Sequence, residues 1–319
     1  MYRPPAPGVD VDDSAPSPTA LDSLTTEWAD PRYAGIDTMP TVELARIINA
    51  ADATVPTAVA AVIPAVAAAI DDIVGGLRAG GRLIYVGAGT PGRIATLDAA
   101  ECPPTFGTPP QQVQALMAGG RTALVTAVEG VEDDAAAGAA DLAALDVTAG
   151  DAVLGITASG RTPYVIGALL AARAAGAVTI GLVCNARAEL SAVVDHPIEV
   201  IVGPEVLAGS TRLKAGTAQK LVLNMISTIA MVALGKTYGN RMVDLRATNR
   251  KLRRRAERMV ADITGADDDT VRAALLAADQ HVKTAVVAIE RDVDAAAARD
   301  LLRAAGGRLG EALRAPAGR

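Results

Sequence analysis

Short apolar runs alternate with Ala-rich, helix-like segments through the middle of this chain. Each run is rich in Val, Ile and Leu and ends in small or polar residues that are typical of a turn. The runs lie at residues 82–86, 113–117, 152–156, 178–183 and 198–202. Because helix-like segments separate them, the pattern predicts an α/β fold, in which a largely parallel sheet carries helices on both faces.

Longer helical segments flank these runs. One is predicted from Pro56 to Ala79, a second from Thr211 to about Lys236, and a third from about Asp244 to Asp262. Shorter helical pieces, broken at Gly306-Gly307, follow from about residue 266. We therefore expect three parts: a disordered tail over 1–20, an α/β domain with an N-terminal helical segment over 21–262, and a small helical bundle over 263–319.

Composition narrows the function classes. The chain has 319 residues, of which 50% are hydrophobic and only 2% aromatic, so its core must be built from aliphatic side chains. A net charge of −6 weighs against general nucleic-acid binding, which needs a basic field. The one dense basic run, Arg250 to Arg255, is predicted to be a solvated helix face.

Cysteine usage and targeting patterns point to a reducing, cytoplasmic location. Cys102 and Cys184 are too few and too far apart for a disulfide framework. Residues 1–20 lack the apolar segment of a signal peptide. The apolar stretch from Val55 to Ile70 contains two prolines and is predicted to be a buried helix rather than a membrane span.

Candidate chemistry is expected in the loops after the strands, because ligands of parallel sheets bind beyond the carboxyl ends of the strands. The first such loop contains Gly89, Thr90 and Pro91, and its glycines and following helix start are suited to an anion. A tight turn without a ligand is equally compatible with this pattern. The loop is neither a dinucleotide fingerprint nor a P-loop, since the acidic residue and the Gly-Lys-Ser/Thr that these require are missing.

The loop after the third run has a denser set of donors. Ser159, Gly160 and Thr162 lie between the strand and a predicted helix, as in a phosphate cradle. The same hydroxyls could instead cap the helix. Clustering of the hydroxyls in one strand-end loop favours phosphate binding.

A polar segment precedes the long helix predicted from Thr211. Ser210 is a suitable N-cap, and Lys214 could face the site as a charge partner. A capped and solvated helix start explains the same residues equally well.

Two carboxylates, Glu101 and Glu132, are candidates for a general acid and a general base, although spacing alone favours plain surface acids. The two histidines and two cysteines form no cluster, so no metal site is expected. No Gly-x-Ser-x-Gly elbow is present, which weighs against a serine hydrolase.

Several of these motifs, in order and spacing, resemble the N-acetylmuramic acid 6-phosphate etherases. The resemblance runs from about residue 22 to 315, and the glucokinase regulatory protein looks like a distant relative. The motifs are Thr25-Thr26-Glu27, Gly87-Ala88-Gly89-Thr90, Glu101-Cys102-Pro103-Pro104-Thr105, the segment 127–133, Ala158 to Tyr164, the run 209–227, and Asn240 through Asn249.

The resemblance implies a sugar isomerase (SIS) domain with a five-stranded parallel sheet, followed by a small helical bundle similar to ubiquitin-associated domains. It also implies a cytoplasmic homodimer with sites near the subunit interface, acting on a sugar phosphate with no metal or organic cofactor. The implied reaction cleaves the lactyl ether of N-acetylmuramic acid 6-phosphate to N-acetylglucosamine 6-phosphate and D-lactate, as in amino-sugar recycling.

By motif match, Glu101 would protonate the departing lactate oxygen and Glu132 would remove the proton at C2. Ser159, Gly160 and Thr162 would hold the 6-phosphate. Gly89, Thr90, Ser210 and Lys214 complete the implied substrate-binding set. Ring opening makes C1 an aldehyde, which acidifies the C2 proton, so that lactate leaves by elimination and water then adds back.

The chain departs from the family pattern at two positions. Pro91 stands where a serine is usual, and Ala100 stands where another serine is usual. Both flank the implied site and bear on ligand identity and affinity rather than on fold. Two rival functions share the fold: a non-catalytic sugar-phosphate sensor, which Pro91 mildly favours, and an aldose–ketose isomerase.

Overall fold

A computed structural model of the chain describes residues 24–244 and 250–314, apart from the side chain of Lys251. The predicted tail over 1–20 lies outside these residues. So do part of the helix predicted from Asp244 and part of the motif that runs from Asn240 through Asn249.

The centre of the protein is a five-stranded sheet in which all neighbouring strands are parallel. The strand order is β2-β1-β3-β4-β5, so the chain reverses its direction of travel between β1 and β3. The strands are β1 (Leu83–Gly87), β2 (Val113–Met117), β3 (Ala152–Ile156), β4 (Val178–Val183) and β5 (His196–Glu199). The predicted α/β fold is confirmed.

The fifth strand differs from the run that predicted it. The apolar run covers 198–202, whereas pairing with β4 begins at His196 and the strand ends at Glu199. The Glu199 carboxylate accepts hydrogen bonds from the backbone N–H groups of Arg187 and Ala188, which anchors the strand end to a loop. Val200 and Val202 are still buried, so the run marks burial beyond the end of the strand.

Helices cover both faces of the sheet. The helices of this domain are α1 (Thr41–Asp52), α2 (Val55–Ala61), α3 (Ile63–Arg78), α4 (Gly89–Phe106), α5 (Ala135–Ala143), α6 (Pro163–Ala174) and α7 (Lys214–Ala233). Alternate residues of β1 face opposite sides, as strand geometry requires. Leu83 and Tyr85 pack in the core that includes residues of α3, α4 and α7, and Ile84 and Val86 pack in the core that includes residues of α6.

The segment predicted as one helix from Pro56 to Ala79 is two helices, because α2 ends at Ala61 and α3 begins at Ile63. Pro64 occupies the first turn of α3, where its missing N–H leaves no intrahelical hydrogen bond unmade. Within the described residues no single helix is long and apolar enough to span a membrane. One bent pair, Thr41–Ala61 with Ile63–Arg78 at 60°, meets the length and composition of a broken span.

A second hydrophobic core holds the C-terminal helices together. These are α8 (Arg250–Thr264), α9 (Asp268–Ala277), α10 (Val282–Arg291), α11 (Ala295–Ala304) and α12 (Leu309–Arg314). The predicted break at Gly306-Gly307 is confirmed between α11 and α12. Val260 of α8 is buried in this core together with Val286 and Leu302. The α8 helix thus packs with the bundle, although the domain division at residue 262 stays a prediction.

Asp244 ties this bundle to the end of α7. Its carboxylate lies 2.8 Å from the ammonium of Lys236 and 2.9 Å from that of Lys283 in α10. Burial opposes ionisation of this carboxyl, but a hydrogen bond with His281 and the charges of the two lysines hold its pKa well below the usual value. The bundle is therefore anchored by charge as well as by apolar packing.

Candidate functional site

A cleft of about 520 Å³ opens at the carboxyl edge of the sheet, between the loops that follow β1 and β3. This is the point at which the strand order reverses, where open α/β sheets bind their ligands. Its lining residues are Glu27, Ala88, Gly89, Thr90, Pro91, Glu132, Asp133, Thr157, Ala158, Ser159, Arg161, Thr162, Pro163 and Thr211. Of the predicted site residues, Gly89, Thr90, Glu132, Ser159 and Thr162 lie together here.

The first side of the cleft is the start of α4. Helix α4 begins at Gly89, whose φ of +56° is a conformation that glycine adopts without strain. A Cβ atom on Gly87 would lie 2.8 Å from the backbone nitrogen of Gly92, so only glycine lets the helix start this close to β1. The first N–H groups of a helix have no intrahelical acceptor and are suited to binding an anion. Pro91, the third residue of α4, supplies no N–H to this set.

The second side is the loop after β3, in which hydroxyls bond to one another. The Thr157 hydroxyl lies 2.7 Å from that of Thr162 and 3.2 Å from that of Ser159. Thr162 precedes α6 at the N-cap position but makes no capping hydrogen bond. The capping alternative therefore fails for Thr162, whose hydroxyl is held by Thr157 instead.

Gly160 shapes this loop without lining the cleft. Its φ is +76°, and a Cβ atom there would collide with the side chain of Ala188. Its carbonyl accepts a hydrogen bond of 2.9 Å from the backbone N–H of Leu190, and its own N–H donates to the Thr157 hydroxyl. Gly160 thus fixes the path of the loop, while Ser159 and Thr162 present the polar atoms.

Arg161 brings a positive charge to the cleft. Its Nε lies 3.5 Å from a carboxylate oxygen of Glu189, and its side chain is about a quarter exposed. This separation leaves the guanidinium with donors for a second anion. A strand-end loop rich in hydroxyls and one arginine is suited to a phosphate ester.

Glu132 reaches the same cleft from a short 3-10 turn, Val131–Asp133. The turn follows Gly130, whose φ of +76° reverses the chain, and both Glu132 and Asp133 are exposed. A carboxylate at this position lies beside the hydroxyl loop and so beside any ligand anchored there.

Glu101 is not brought to the cleft of its own chain. It follows Pro91, the last residue of α4 that lines the cleft, by 10 residues, which places it about 15 Å along the helix axis from the cleft. Its side chain is exposed, on the same helix as the exposed Leu97. The two predicted acid–base residues therefore lie at different places on one subunit.

Ser210 and Lys214 are also placed outside this cleft. Helix α7 begins at Lys214 rather than at Thr211, with Leu213 in the N-cap position, so the prediction that Ser210 caps it is wrong. The carboxylate of Glu205 caps the helix instead, because it accepts hydrogen bonds of 3.0 and 2.9 Å from the N–H groups of Lys214 and Ala215. Thr211 is the residue of this segment that lines the cleft.

The ammonium of Lys214 donates 2.6 Å to the carbonyl of Val202 and lines a second cleft of about 490 Å³ with Arg32 and Tyr33. Burial lowers the pKa of Lys214, and burial raises the pKa of Glu205. Both groups serve the start of α7 rather than the cleft between β1 and β3.

The predicted set lacks five polar residues of the cleft: Glu27, Asp133, Thr157, Arg161 and Thr211. Asp133, Arg161 and Thr211 each adjoin or nearly adjoin a residue that was predicted, so the motifs themselves contain the signal. Glu27 precedes the first strand by more than fifty residues, and only its place in the motif Thr25-Thr26-Glu27 marks it.

Comparison with known proteins identifies the family to which this chain is related. A model of the N-terminal SIS domain of glucokinase regulatory protein matches residues 65–173, and one of its C-terminal lid domain matches residues 239–301. A phosphoheptose isomerase structure from Francisella tularensis superposes with a TM-score of 0.50 at 23% identity, covering 61% of this chain and 100% of its own, which supports the fold alone.

Similarity to curated sequences is much closer. The chain is 57% identical to the N-acetylmuramic acid 6-phosphate etherase of Streptomyces avermitilis, across 92% of this chain and 95% of that relative. It is 59% identical to the enzyme of the same name from Rubrobacter xylanophilus, across 84% of this chain and 89% of that relative. Identity at this level over nearly the whole length of both chains shows that this protein belongs to the N-acetylmuramic acid 6-phosphate etherase family.

Proposed function

We propose that this protein is a carbon–oxygen lyase that cleaves the lactyl ether of N-acetylmuramic acid 6-phosphate. The products are N-acetylglucosamine 6-phosphate and D-lactate. The observation that carries the proposal is the presence of the Glu132 carboxylate in one cleft with the hydroxyl loop of Ser159 and Thr162. A candidate base and a candidate phosphate-binding loop therefore lie in the same cleft of a chain that belongs to the etherase family.

The 6-phosphate is held where two helices begin. The starts of α4 and α6 both adjoin the cleft, and each adds partial positive charge and free N–H groups. Ser159 and Thr162 add hydroxyl donors, and Arg161 adds a full charge. With the phosphate fixed at this end, the ring carbons extend across the cleft towards the remaining lining residues.

Glu132 then acts on the open-chain form of the sugar. With C1 present as an aldehyde, the C2 proton is acidic, because the resulting carbanion is delocalised onto the carbonyl oxygen. Glu132 takes that proton, the C3–O bond breaks, and an unsaturated aldehyde remains. Water adds at C3, and ring closure gives the product. A positioned general base contributes about 10²- to 10⁴-fold to such a step.

The departing lactate oxygen needs a proton, and we assign its delivery to Glu101. Because Glu101 lies about 15 Å along α4 from the cleft of its own subunit, it can serve only the cleft of a second copy. The proposal therefore requires a homodimer whose interface brings α4 of one subunit to the cleft of the other. Closed two-fold pairing would form two such composite sites.

Pro91 and Ala100 do not exclude this reaction. Pro91 removes one N–H from the α4 start, but the hydroxyl loop and Arg161 are unaffected. Ala100 adjoins Glu101 and would lie, with it, at the subunit interface. We therefore expect weaker substrate binding rather than a different reaction. A protein that consumes such a cell-wall amino sugar would act in the cytoplasm, in amino-sugar recycling.

The alternative is a sugar-phosphate-binding regulator without catalysis. The match of both domains to models described from glucokinase regulatory protein favours it. A regulator needs the phosphate loop but has no need of a base beside it, so the position of Glu132 favours the lyase.

The test is release of D-lactate from N-acetylmuramic acid 6-phosphate by the purified protein in water enriched in ¹⁸O. Elimination and hydration place the label at C3 of N-acetylglucosamine 6-phosphate and leave lactate unlabelled. The variant E132Q should lose lactate release while retaining substrate binding, and E43Q, which changes an exposed acid of α1, should behave as the wild type. Tight binding of the sugar phosphate without lactate would identify the regulator instead.

A further inference from the structure

A third acidic side chain of the cleft, Glu27, has no part in the proposed reaction. Its carboxylate is exposed to the cleft, and no hydrogen-bond donor or cation of residues 24–244 and 250–314 engages it. A negative charge beside a phosphate-binding loop repels the phosphate. We therefore expect the Glu27 carboxylate to contact a part of the ligand other than the phosphate.

The turn that carries Glu27 is fixed by the phosphate loop. Thr25 donates to the side-chain oxygen of Asn185 at 3.0 Å, and the Asn185 amide donates 3.0 Å to the hydroxyl of Thr26 and 3.0 Å to the carbonyl of Ala158. Ala158 lies in the loop that contains Ser159. A single buried amide thus sets the position of Glu27 relative to the residues that bind phosphate.

Gly209 holds the turn on its other side. Its N–H donates 3.1 Å to the carbonyl of Thr26, and its φ is +73°. A Cβ atom on Gly209 would lie 3.0 Å from a carboxylate oxygen of Glu27, which is closer than ordinary packing allows. The absence of a side chain at Gly209 therefore leaves room for the carboxylate in this place.

An ionised carboxylate accepts hydrogen bonds and donates none, so it pairs with O–H or N–H groups of a ligand. The other lining groups named above for the phosphate are donors, which serve anions and carbonyl oxygens. The hydroxyl groups of a sugar need acceptors, and Glu132 is committed to the C2 proton. The carboxylates that remain in the cleft are Glu27 and Asp133. Of these two, Glu27 is on the turn that Asn185 ties to the phosphate loop. In the closed ring of the proposed substrate, the free hydroxyls are those at C1 and C4.

We propose that Glu27 is a specificity-determining residue of this site, whose carboxylate accepts a hydrogen bond from a ring hydroxyl of the bound amino-sugar phosphate. The inference rests on the proposed function for the identity of the sugar. It gives the cleft two separate recognition elements, one for phosphate and one for the sugar ring. Glu27 thereby selects a phosphorylated sugar over a bare phosphate.

Binding measurements test this independently of turnover. Calorimetric titration with N-acetylglucosamine 6-phosphate and, separately, with inorganic phosphate compares the wild type with E27A and E27Q. Loss of a hydrogen bond to a charged group should weaken binding of the sugar phosphate about 10- to 100-fold in E27A, and less in E27Q, which keeps an acceptor. Inorganic phosphate should bind these variants as tightly as the wild type or more tightly, since a repelling charge is gone. E43Q should match the wild type with both ligands.

Unchanged sugar-phosphate affinity in E27A would overturn the proposal, and so would an equal loss of affinity for both ligands. Thermal unfolding at the wild-type temperature would establish that E27A is folded. In turnover, E27A should raise KM more than it lowers kcat. A wild type that releases no lactate, but binds the sugar phosphate through Glu27, would reject the lyase and retain this inference.

Discussion

The hydroxyl oxygens of Thr157 and Thr162 lie 2.7 Å apart, across the loop that joins β3 to α6. Thr157 is buried at the strand end, whereas Thr162 is partly exposed at the helix start. The bond closes the loop into a ring of polar groups, with the Gly160 N–H pointing to the Thr157 hydroxyl at 3.3 Å. The loop is therefore organised before any ligand enters.

Thr162→Val keeps the shape of this side chain and removes its hydroxyl. Thr157 loses one of its hydrogen-bond partners, and the phosphate loses a donor, so KM should rise about 10- to 100-fold with kcat little changed. Steady-state kinetics of lactate release give both constants. Thr264→Val, which removes a comparable hydroxyl in α8, is the matched control. A fall in kcat at constant KM would contradict a role in phosphate binding.

Subunit mixing tests whether Glu101 acts across a dimer interface. E101Q and E132Q should each be inactive as pure proteins. After they are unfolded and refolded together, random pairing gives sites in which Glu101 comes from one subunit and Glu132 from the other. About one quarter of all sites should then carry both acids, and activity should return to about one quarter of the wild-type value. If the mixture stayed inactive although heterodimers had formed, both acids would have to come from one chain.

Pro91→Ser should strengthen substrate binding. The serine adds an N–H and a hydroxyl to the first turn of α4, where the cleft needs donors. We expect KM to fall about tenfold, which corresponds to one added hydrogen bond to a charged group. Pro40→Ser, at the start of α1, controls for the general loss of proline rigidity. Equal KM values for P91S and the wild type would show that this end of α4 does not contact the phosphate.

Asp151 should make the free energy of unfolding depend on pH. Its buried carboxylate accepts hydrogen bonds from the Arg82 side chain at 3.0 and 2.8 Å and from the N–H of Thr148 at 2.9 Å. Burial by itself would raise the pKa, but these bonds and the charge of Arg82 lower it to about 2. Because the folded pKa lies below the unfolded value of about 3.9, the contribution is complete above pH 4 to 5 and is lost as the pH falls through 2.

The corresponding contribution to the free energy of unfolding is about 2 to 3 kcal/mol at neutral pH. Asp151→Asn should remove it, and urea unfolding of this variant should vary less between pH 5 and pH 2 than that of the wild type. Asp71→Asn, at an exposed position of α3, should leave the pH dependence unchanged. Parallel curves for D151N and the wild type would mean that Asp151 is not ionised preferentially in the folded state.

The strands were the most predictable part of the fold. β2, β3 and β4 have the bounds of the apolar runs, since in β3 and β4 nearly every residue is buried on one face or the other. β5 is an edge strand with one neighbour, so its pairing and its burial end at different residues. Helix starts were less predictable. Ser210 looks like a cap locally, but the carboxylate of Glu205, nine residues before Lys214, takes that role because the intervening loop folds back on the helix start.

Site residues are likewise predictable where the signal is local in sequence, and unpredictable where a tertiary contact decides their position. Ser159 and Thr162 directly follow a strand, so the rule for parallel sheets locates them without further knowledge. Lys214 has a suitable charge and position in sequence, yet the carbonyl of Val202 binds its ammonium away from the cleft. The turn of Glu27 is held by the bond from Asn185 to Thr26, and a contact between residues so far apart in sequence leaves no periodic pattern. Glu27 is marked only by its place in the motif Thr25-Thr26-Glu27.

The cleft is assembled from segments that run from Glu27 to Thr211, with the strand reversal between β1 and β3 at its centre. Each of these contacts closes a long loop of chain, which costs conformational entropy. The residues 65–173 alone would lack Glu27 and Thr211 and so could not rebuild the cleft. A ligand that fills it stabilises the whole domain, by about 2.7 kcal/mol at one hundred times its dissociation constant. Melting temperature is therefore a direct measure of occupancy for this protein, and a screen of sugar phosphates can use it without any enzymatic assay.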